Sequence, residues 1–242
     1  MAPPVLVVRF EDRSMIVVDK PAGMHTAPLR QGETGTLLEA AISAFPEIAS
    51  LPGVKPVEPG LVHRIDRETS GLVILARTAE AFATLRGQFA AGDAHKRYLA
   101  ACAPGPDDPG RAPALRIESR FAPYGISGRM VRVVLPGEPS TRRSRQATRE
   151  RYVTEVTGMA RSPGRVLLSA SIARGFRHQV RAHLSFLGFP ILGDRLYGTP
   201  VPEGFAERMY LHAARIELRH PVTGAPLVVE SPVPPEFAAL FP

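Results

Sequence analysis

The sequence predicts an α+β fold, a mixed and largely antiparallel sheet flanked by helices, and three observations lead there. Short apolar runs rich in β-branched residues outnumber the stretches with helical periodicity. The runs are not strictly interleaved with helices, as a parallel βαβ sheet would require. Clusters of Pro, Gly, Asp and Ser punctuate them. With 242 residues, 44% of them hydrophobic and 22% charged, the chain is long enough for one large domain or two subdomains sharing a sheet.

Taken in order, Val5–Phe10 and Met15–Asp19 read as two strands around a Glu-Asp-Arg-Ser turn, and Pro21-Ala22-Gly23 breaks the chain. Residues 36–45 fit a helix capped by Thr34 or Thr36. Residues 50–60 hold three prolines and read as a loop. Next comes His63-Arg64-Ile65-Asp66-Arg67-Glu68-Thr69-Ser70-Gly71, followed by an apolar run that reads as a buried strand. Asp66 therefore belongs to a loop at the mouth of a core strand, although an Asp before Thr-Ser is also an ordinary turn or capping residue. Residues 78–89 fit an amphipathic helix capped by Thr78, with Phe82, Leu85 and Phe89 on one stripe. Lys96–Cys102 is a strand and 103–113 a connector. Strands at 129–135 and 150–156 bracket the loop 136–148, which contains Arg142, Arg143 and Arg145. A strand at 165–173 leads into a helix at 178–187 stopped by Gly188. Strands near 213–218 and 227–230 finish the sheet.

A formal net charge of +7 suggests a polyanionic partner, and a single cysteine, Cys102, excludes disulfides within the chain and fits a reducing compartment. The expected location is the cytoplasm. No apolar run approaches the roughly 18–20 residues of a membrane helix, and the N-terminal residues read as a first strand, not a signal peptide. Of thirty basic residues only Lys20, Lys55 and Lys96 are lysines, a bias that a GC-rich genome would also produce; two of them, Lys20 and Lys96, lie inside motifs, which points to an ammonium being wanted there. Arg142 and Arg143 are candidate phosphate contacts, because arginines fix backbone register without reading sequence; a solvated loop would look the same.

Five segments in sequence order resemble the RluA-type pseudouridine synthases: Asp19-Lys20-Pro21-Ala22-Gly23-Met24, the stretch 63–71, Lys96-Arg97-Tyr98, His178-Gln179-Val180-Arg181-Ala182-His183, and Gly193-Asp194-Arg195-Leu196-Tyr197-Gly198 with Leu211-His212-Ala213. The resemblance implies a catalytic domain over 1–242 with a central RNA-binding cleft and no separate N-terminal RNA-binding domain. It implies an enzyme that isomerises flipped-out uridines of ribosomal or transfer RNA with no cofactor or metal. A monomer without a membrane partner is expected because the sequence has no coiled-coil pattern, no obvious dimer stripe and no long apolar run. Asp66 would be the carboxylate at the sugar, attacking its anomeric carbon or removing the 2′ proton. Tyr98 would stack on the uracil, and Arg181 would be the cation beside Asp66. His63, Arg64, Lys96, Val180 and Arg177 would contact the substrate, Arg64 by filling the space the base vacates; its plainer reading is a surface pair with Glu68. One departure stands out. The arginine that usually precedes the His-Gln pair is displaced to 174 or 177, and Phe176 holds its place.

Rival readings are a metal hydrolase using His63, Asp66, His178 and His183, a Ser70 hydrolase, and a non-catalytic RNA-binding or ribosome-assembly protein. The two late histidines are five apart, off the four-residue spacing that shares a helix face. Ser70 lacks a Gly-x-Ser-x-Gly elbow. The third rival differs from an enzyme in what Asp66→Asn would do: it would leave no activity to lose.

Overall fold

A computed structural model describes residues 6–30, 32–105, 114–139 and 144–241. The strands are β1 (Val7–Glu11), β2 (Met15–Lys20), β3 (Ser70–Ala76), β4 (His95–Cys102), β5 (Ala114–Tyr124), β6 (Met130–Val134), β7 (Tyr152–Ser162), β8 (Arg165–Ile172), β9 (Leu211–Arg219) and β10 (Pro226–Glu230). The helices are α1 (Leu37–Ala44), α2 (Ala79–Ala91), α3 (Gln179–Phe186) and α4 (Pro235–Leu240). The pairing is mixed and mostly antiparallel, as expected.

The chain divides into two compact units, Met1–Lys96 with His212–Pro232, and Arg97–Leu211 with Val233–Pro242. In the first unit the strand order is β1-β2-β3-β9, with β10 on β9. β3 is buried at every position, which explains its unbroken apolar run: no face needs polar residues. Leu72 and Ile74 pack with Met15, Val17, Leu85, Phe89 and Ile216 into one core. The threonines expected before the helices do cap them, Thr36 accepting from the Glu39 amide at 3.2 Å and Thr78 from that of Ala81 at 3.1 Å.

In the second unit the order is β4-β8-β7-β5-β6. Its core gathers Ile117, Phe121, Val131, Val133, Tyr152 and Ala182, with Phe176 packed against them. Two elements here escaped the sequence reading, β5 and α4. β5 alternates inward at Ile117, Ser119 and Phe121, but the middle position is a serine, so the apolar pattern breaks. Its hydroxyl lies 2.8 Å from Nε2 of the buried His183, a partner that no local pattern reveals. β7 also runs six residues beyond the expected 156.

Candidate active site

Asp66 lies in the first unit, on a loop whose backbone is tied at several points to the turn after β2. That strand pairs with β3 so that Lys20 stands opposite Gly71, which brings the turn alongside the loop. Lys20, 1% exposed, donates from Nζ to the carbonyls of Pro21 (2.8 Å), Met24 (2.8 Å) and Arg67 (2.9 Å). A compact ammonium can aim protons at three carbonyls in three directions; a planar guanidinium cannot. The preference for lysine thus has a physical reason at this position. Gly23 N donates to Arg67 O and Arg67 Nε donates back to Gly23 O, both at 2.9 Å. Thr26 Oγ1 donates to Ile65 O at 2.8 Å, and the Thr69 amide donates to Asp66 O at 3.1 Å. Gly71 completes the frame. Its φ is +107°, and a Cβ there would lie 2.3 Å from the Ala213 carbonyl, so only glycine allows β3 and β9 to approach this closely.

His63 and Lys96 share a ring. The His63 imidazole stacks on Phe89 at 4.8 Å, and Lys96 Nζ stands 4.8 Å from the centre of the same phenyl. Nε2 of His63 accepts from the Ile74 amide at 3.2 Å, which places the proton of a neutral ring on Nδ1. Burial, reinforced by the Lys96 charge, pushes His63 down to about 3. Burial also pushes Lys96 down to about 8. Arg64 does not take Glu68 as partner. It pairs with the buried Glu58 at 2.6 Å, and Glu68 instead lies 3.8 Å from Arg67. Glu58 wins because its carboxylate is already removed from water, with a cation the natural neighbour.

Tyr98 and Arg181 lie in the second unit. Tyr98, 9% exposed, shares a face of β4 with Lys96 two residues earlier. Arg181 is in the first turn of α3, with Val180 buried beside it. Its guanidinium grips Asp194 in a fork, Nε to Oδ2 and an Nη to Oδ1, both at 2.7 Å. Asp194 also accepts from the amides of Leu196 (2.9 Å) and Tyr197 (3.2 Å). Burial alone would raise the Asp194 carboxyl; the Arg181 hydrogen bonds and charge, with the two amides, outweigh it and hold the group below its ordinary value. The Tyr197 ring lies 5.3 Å from the guanidinium carbon, and its hydroxyl accepts from the Val131 amide at 2.6 Å. Asp194 had no role in the sequence reading. The only available signal was its place in a motif-like segment, since its partner lies thirteen residues away in another element.

The displaced arginine has a structural account. Phe176 stacks on Phe121 with centroids 5.2 Å apart and planes 7° from parallel, and it also meets Tyr152 at 5.2 Å, so the position is apolar core. Arg177 donates to the carbonyls of Gly128 (2.6 Å) and Met130 (3.3 Å), and Arg174 lies 4.0 Å from Glu150. His183 lies between the hydroxyls of Ser119 and Thr154, at 2.8 and 2.7 Å. His178 adopts φ +56° just before α3, its Nδ1 3.1 Å from the Tyr197 hydroxyl. Arg142 and Arg143 lie outside the described residues.

The family described as RNA pseudouridylate synthase matches residues 14–186. A ribosomal large subunit pseudouridine synthase D of Nitrosomonas europaea is 32% identical over 98% of this chain and 64% of its own length. The enzymes of the same name from Xanthomonas campestris and Pseudomonas aeruginosa are each 32% identical over 98% of this chain, and 68% and 71% of their own. The chain thus spans about two thirds of the length of these relatives. Among solved structures, human RNA pseudouridylate synthase domain containing 1 superposes with a TM-score of 0.70 at 21% identity, covering 99% of this chain and 89% of that one. Human RNA pseudouridylate synthase domain containing 4 gives 0.69 at 21%, covering 96% and 90%. These structures share the fold. The family match and the relatives at 32% identity go further: the chain belongs to the RNA pseudouridylate synthase family, isomerases that act on uridine in RNA.

Proposed function

We propose that this chain converts particular uridines of ribosomal RNA to pseudouridine, with Asp66, Tyr98 and Arg181 acting on the extruded nucleotide. The observation that carries this reading is the family match over 14–186, a span that contains all three residues. The relatives named for the ribosomal large subunit favour ribosomal RNA over transfer RNA.

The reaction breaks the bond from C1′ to N1 and forms one from C1′ to C5. The proton on C5 departs and N1 ends protonated, so atoms balance without oxidant, reductant or net water. Asp66 acts at the sugar, and its tethered backbone supports the role because a carboxylate must keep its direction while the base turns. Tyr98 offers a flat apolar face and a polar tip to the uracil. Arg181 compensates negative charge, with its orientation fixed by Asp194. Extrusion of the uridine costs a few kcal/mol of stacking, to be recovered from contacts in the protein. The chain works as a cytoplasmic monomer with no membrane partner; among the described residues no helix is long and apolar enough to cross a membrane.

The test is tritium release. Ribosomal RNA transcribed with uridine labelled at C5 is incubated with the protein, and wild type is expected to liberate tritium while Asp66→Ala liberates none. A wild-type protein that releases nothing refutes the function. An Asp66→Ala protein with full release refutes the site and leaves the function standing.

A further inference from the structure

We propose that the tip of the β5–β6 hairpin, residues 124–129, is a rigid wedge that presses against stacked bases of the RNA, with Arg129 and Arg120 on flanking phosphates. The proposal rests on the reading of the chain as an RNA enzyme, and adds to it a surface that none of the motif-like segments contains.

The first observation is what the tip displays. Ile126 is 87% exposed, more than any other large hydrophobic residue described, and Tyr124 beside it is 44% exposed. A lone exposed apolar residue is unremarkable, but this one is held out by a built turn. Tyr124 pairs with Met130 across the hairpin, and three of the five residues between them have left-handed backbone: Gly125 at +76°, Ser127 at +54° and Gly128 at +66°. Glycine tolerates that geometry and serine does not favour it, so the surroundings must impose it. The Gly128 amide donates to Gly125 O at 3.3 Å and the Arg129 amide to Ile126 O at 3.2 Å, closing the turn under the isoleucine.

The second observation is the brace. Arg177 reaches the carbonyls of Gly128 and Met130, and the Tyr197 hydroxyl takes the Val131 amide. The arginine displaced beside Phe176 therefore steadies the root of the tip. A braced tip loses little freedom on docking, which suits insertion against a stacked surface.

The third observation is charge. Residues 120–138 contain Arg120, Arg129 and Arg132 against one carboxylate, Glu138. Glu138 is taken by Arg132 at 2.6 Å, so among the described residues Arg120 and Arg129 have no carboxylate partner. An apolar and aromatic tip flanked by uncompensated arginines is complementary to a nucleic acid, whose stacked bases accept Ile and Tyr and whose phosphates accept Arg. The chain's net charge of +7 favours the same partner.

The experiment uses the full chain and a fluorescein-labelled RNA stem-loop of about 24 nucleotides carrying one unpaired uridine, read by anisotropy across a salt series. Ile126→Asp and Tyr124→Ala are each expected to weaken binding about tenfold, as loss of one stacking contact does. Arg129→Glu should also flatten the dependence of log affinity on log salt, by about one in slope. Ile126→Leu should bind as wild type does, and so should Val222→Asp, a control at an exposed apolar position in the other unit. Unchanged thermal midpoints show that the variants fold. Unchanged affinity in all three tip variants overturns the wedge and turns the tip toward a protein partner. Tritium release separates the two readings. If wild type releases tritium while tip variants bind normally, the wedge alone fails. If wild type releases none while tip variants still bind less, the enzymatic reading alone fails.

Discussion

The loop that carries Asp66 and the helix turn that carries Arg181 are both held rigid, by opposite means. Asp66's loop is fastened to its neighbour through main-chain carbonyls gathered by the ammonium of Lys20. Arg181 is fastened through its own side chain, by a two-pronged ion pair to a fully buried carboxylate. The first arrangement fixes the peptide backbone that carries Asp66. The second fixes the guanidinium itself, while its charge stays partly compensated at all times. Asp66 is thus anchored through the peptides around it, and Arg181 through its side-chain head.

If that contrast is right, the largest effect should follow from Asp194→Asn. The neutral amide cannot accept two charged hydrogen bonds, and Arg181 keeps a buried charge without its counter-ion. Breaking a buried pair from one side costs about 3–5 kcal/mol. Urea unfolding should show the loss, and any folded protein that remains should have a lower kcat than wild type. A variant within 1 kcal/mol of wild type would mean that the pair does not anchor this helix turn.

Lys20→Met should come next, at about 2–4 kcal/mol, because three carbonyls gathered around a buried ammonium lose their charged donor. Lys20→Arg should not rescue it, since the guanidinium cannot address the same three directions. That failure, read in the same urea titration, distinguishes a carbonyl clasp from a generic need for positive charge. Full rescue by arginine would reject the clasp.

How legible these anchors were depends on how local they are. The strand β3, both threonine caps and the strand Arg165–Ile172 follow from spacing within a few residues, and the sequence reading located them. Lys20 showed only as a rare lysine in a motif-like turn, because its third acceptor is 47 positions away. Asp194 and β5 were missed for the same reason: a carboxylate and a serine look like surface residues until Arg181 and His183 are known to face them. Arg64 was paired with the carboxylate nearest in a helical count, but the segment is not helical, and the chain folds Glu58 against it instead. What sequence hides here is polar pairing over distance; what it reveals is apolar periodicity and capping.

The acid response should also separate the units. His183, fully buried in the second unit, is held down to about 4 by burial, whereas in the unfolded chain it titrates near 6.5. Between these values the unfolded chain binds more protons, so the stability contribution is complete above 6.5 and is lost as the pH falls toward 4. The expected loss is about 3 kcal/mol, to be read from urea midpoints at pH 7 and pH 4. His183→Asn should flatten that dependence. His63 in the first unit has the same sign but a window that reaches down to about 3, so stability should go on falling below pH 4, where the His183 contribution has levelled off. A dependence between pH 7 and pH 4 that His183→Asn leaves unchanged would reject the assignment.

The smallest effect tests whether the Asp66 loop depends on burial of its tether or only on the number of its hydrogen bonds. Arg67 bonds the Gly23 carbonyl at 2.9 Å, but its side chain is 57% exposed. Water can replace that donor once it is gone, as it cannot at Lys20. Arg67→Ala should therefore cost only about 0.5 kcal/mol, even though the bond it removes, from this loop to the Gly23 carbonyl, is as long as the one Lys20 donates to the Arg67 carbonyl. If it proved as destabilising as Lys20→Met, the geometry of the carbonyl turn, not the exclusion of water from it, would be what holds the carboxylate in place.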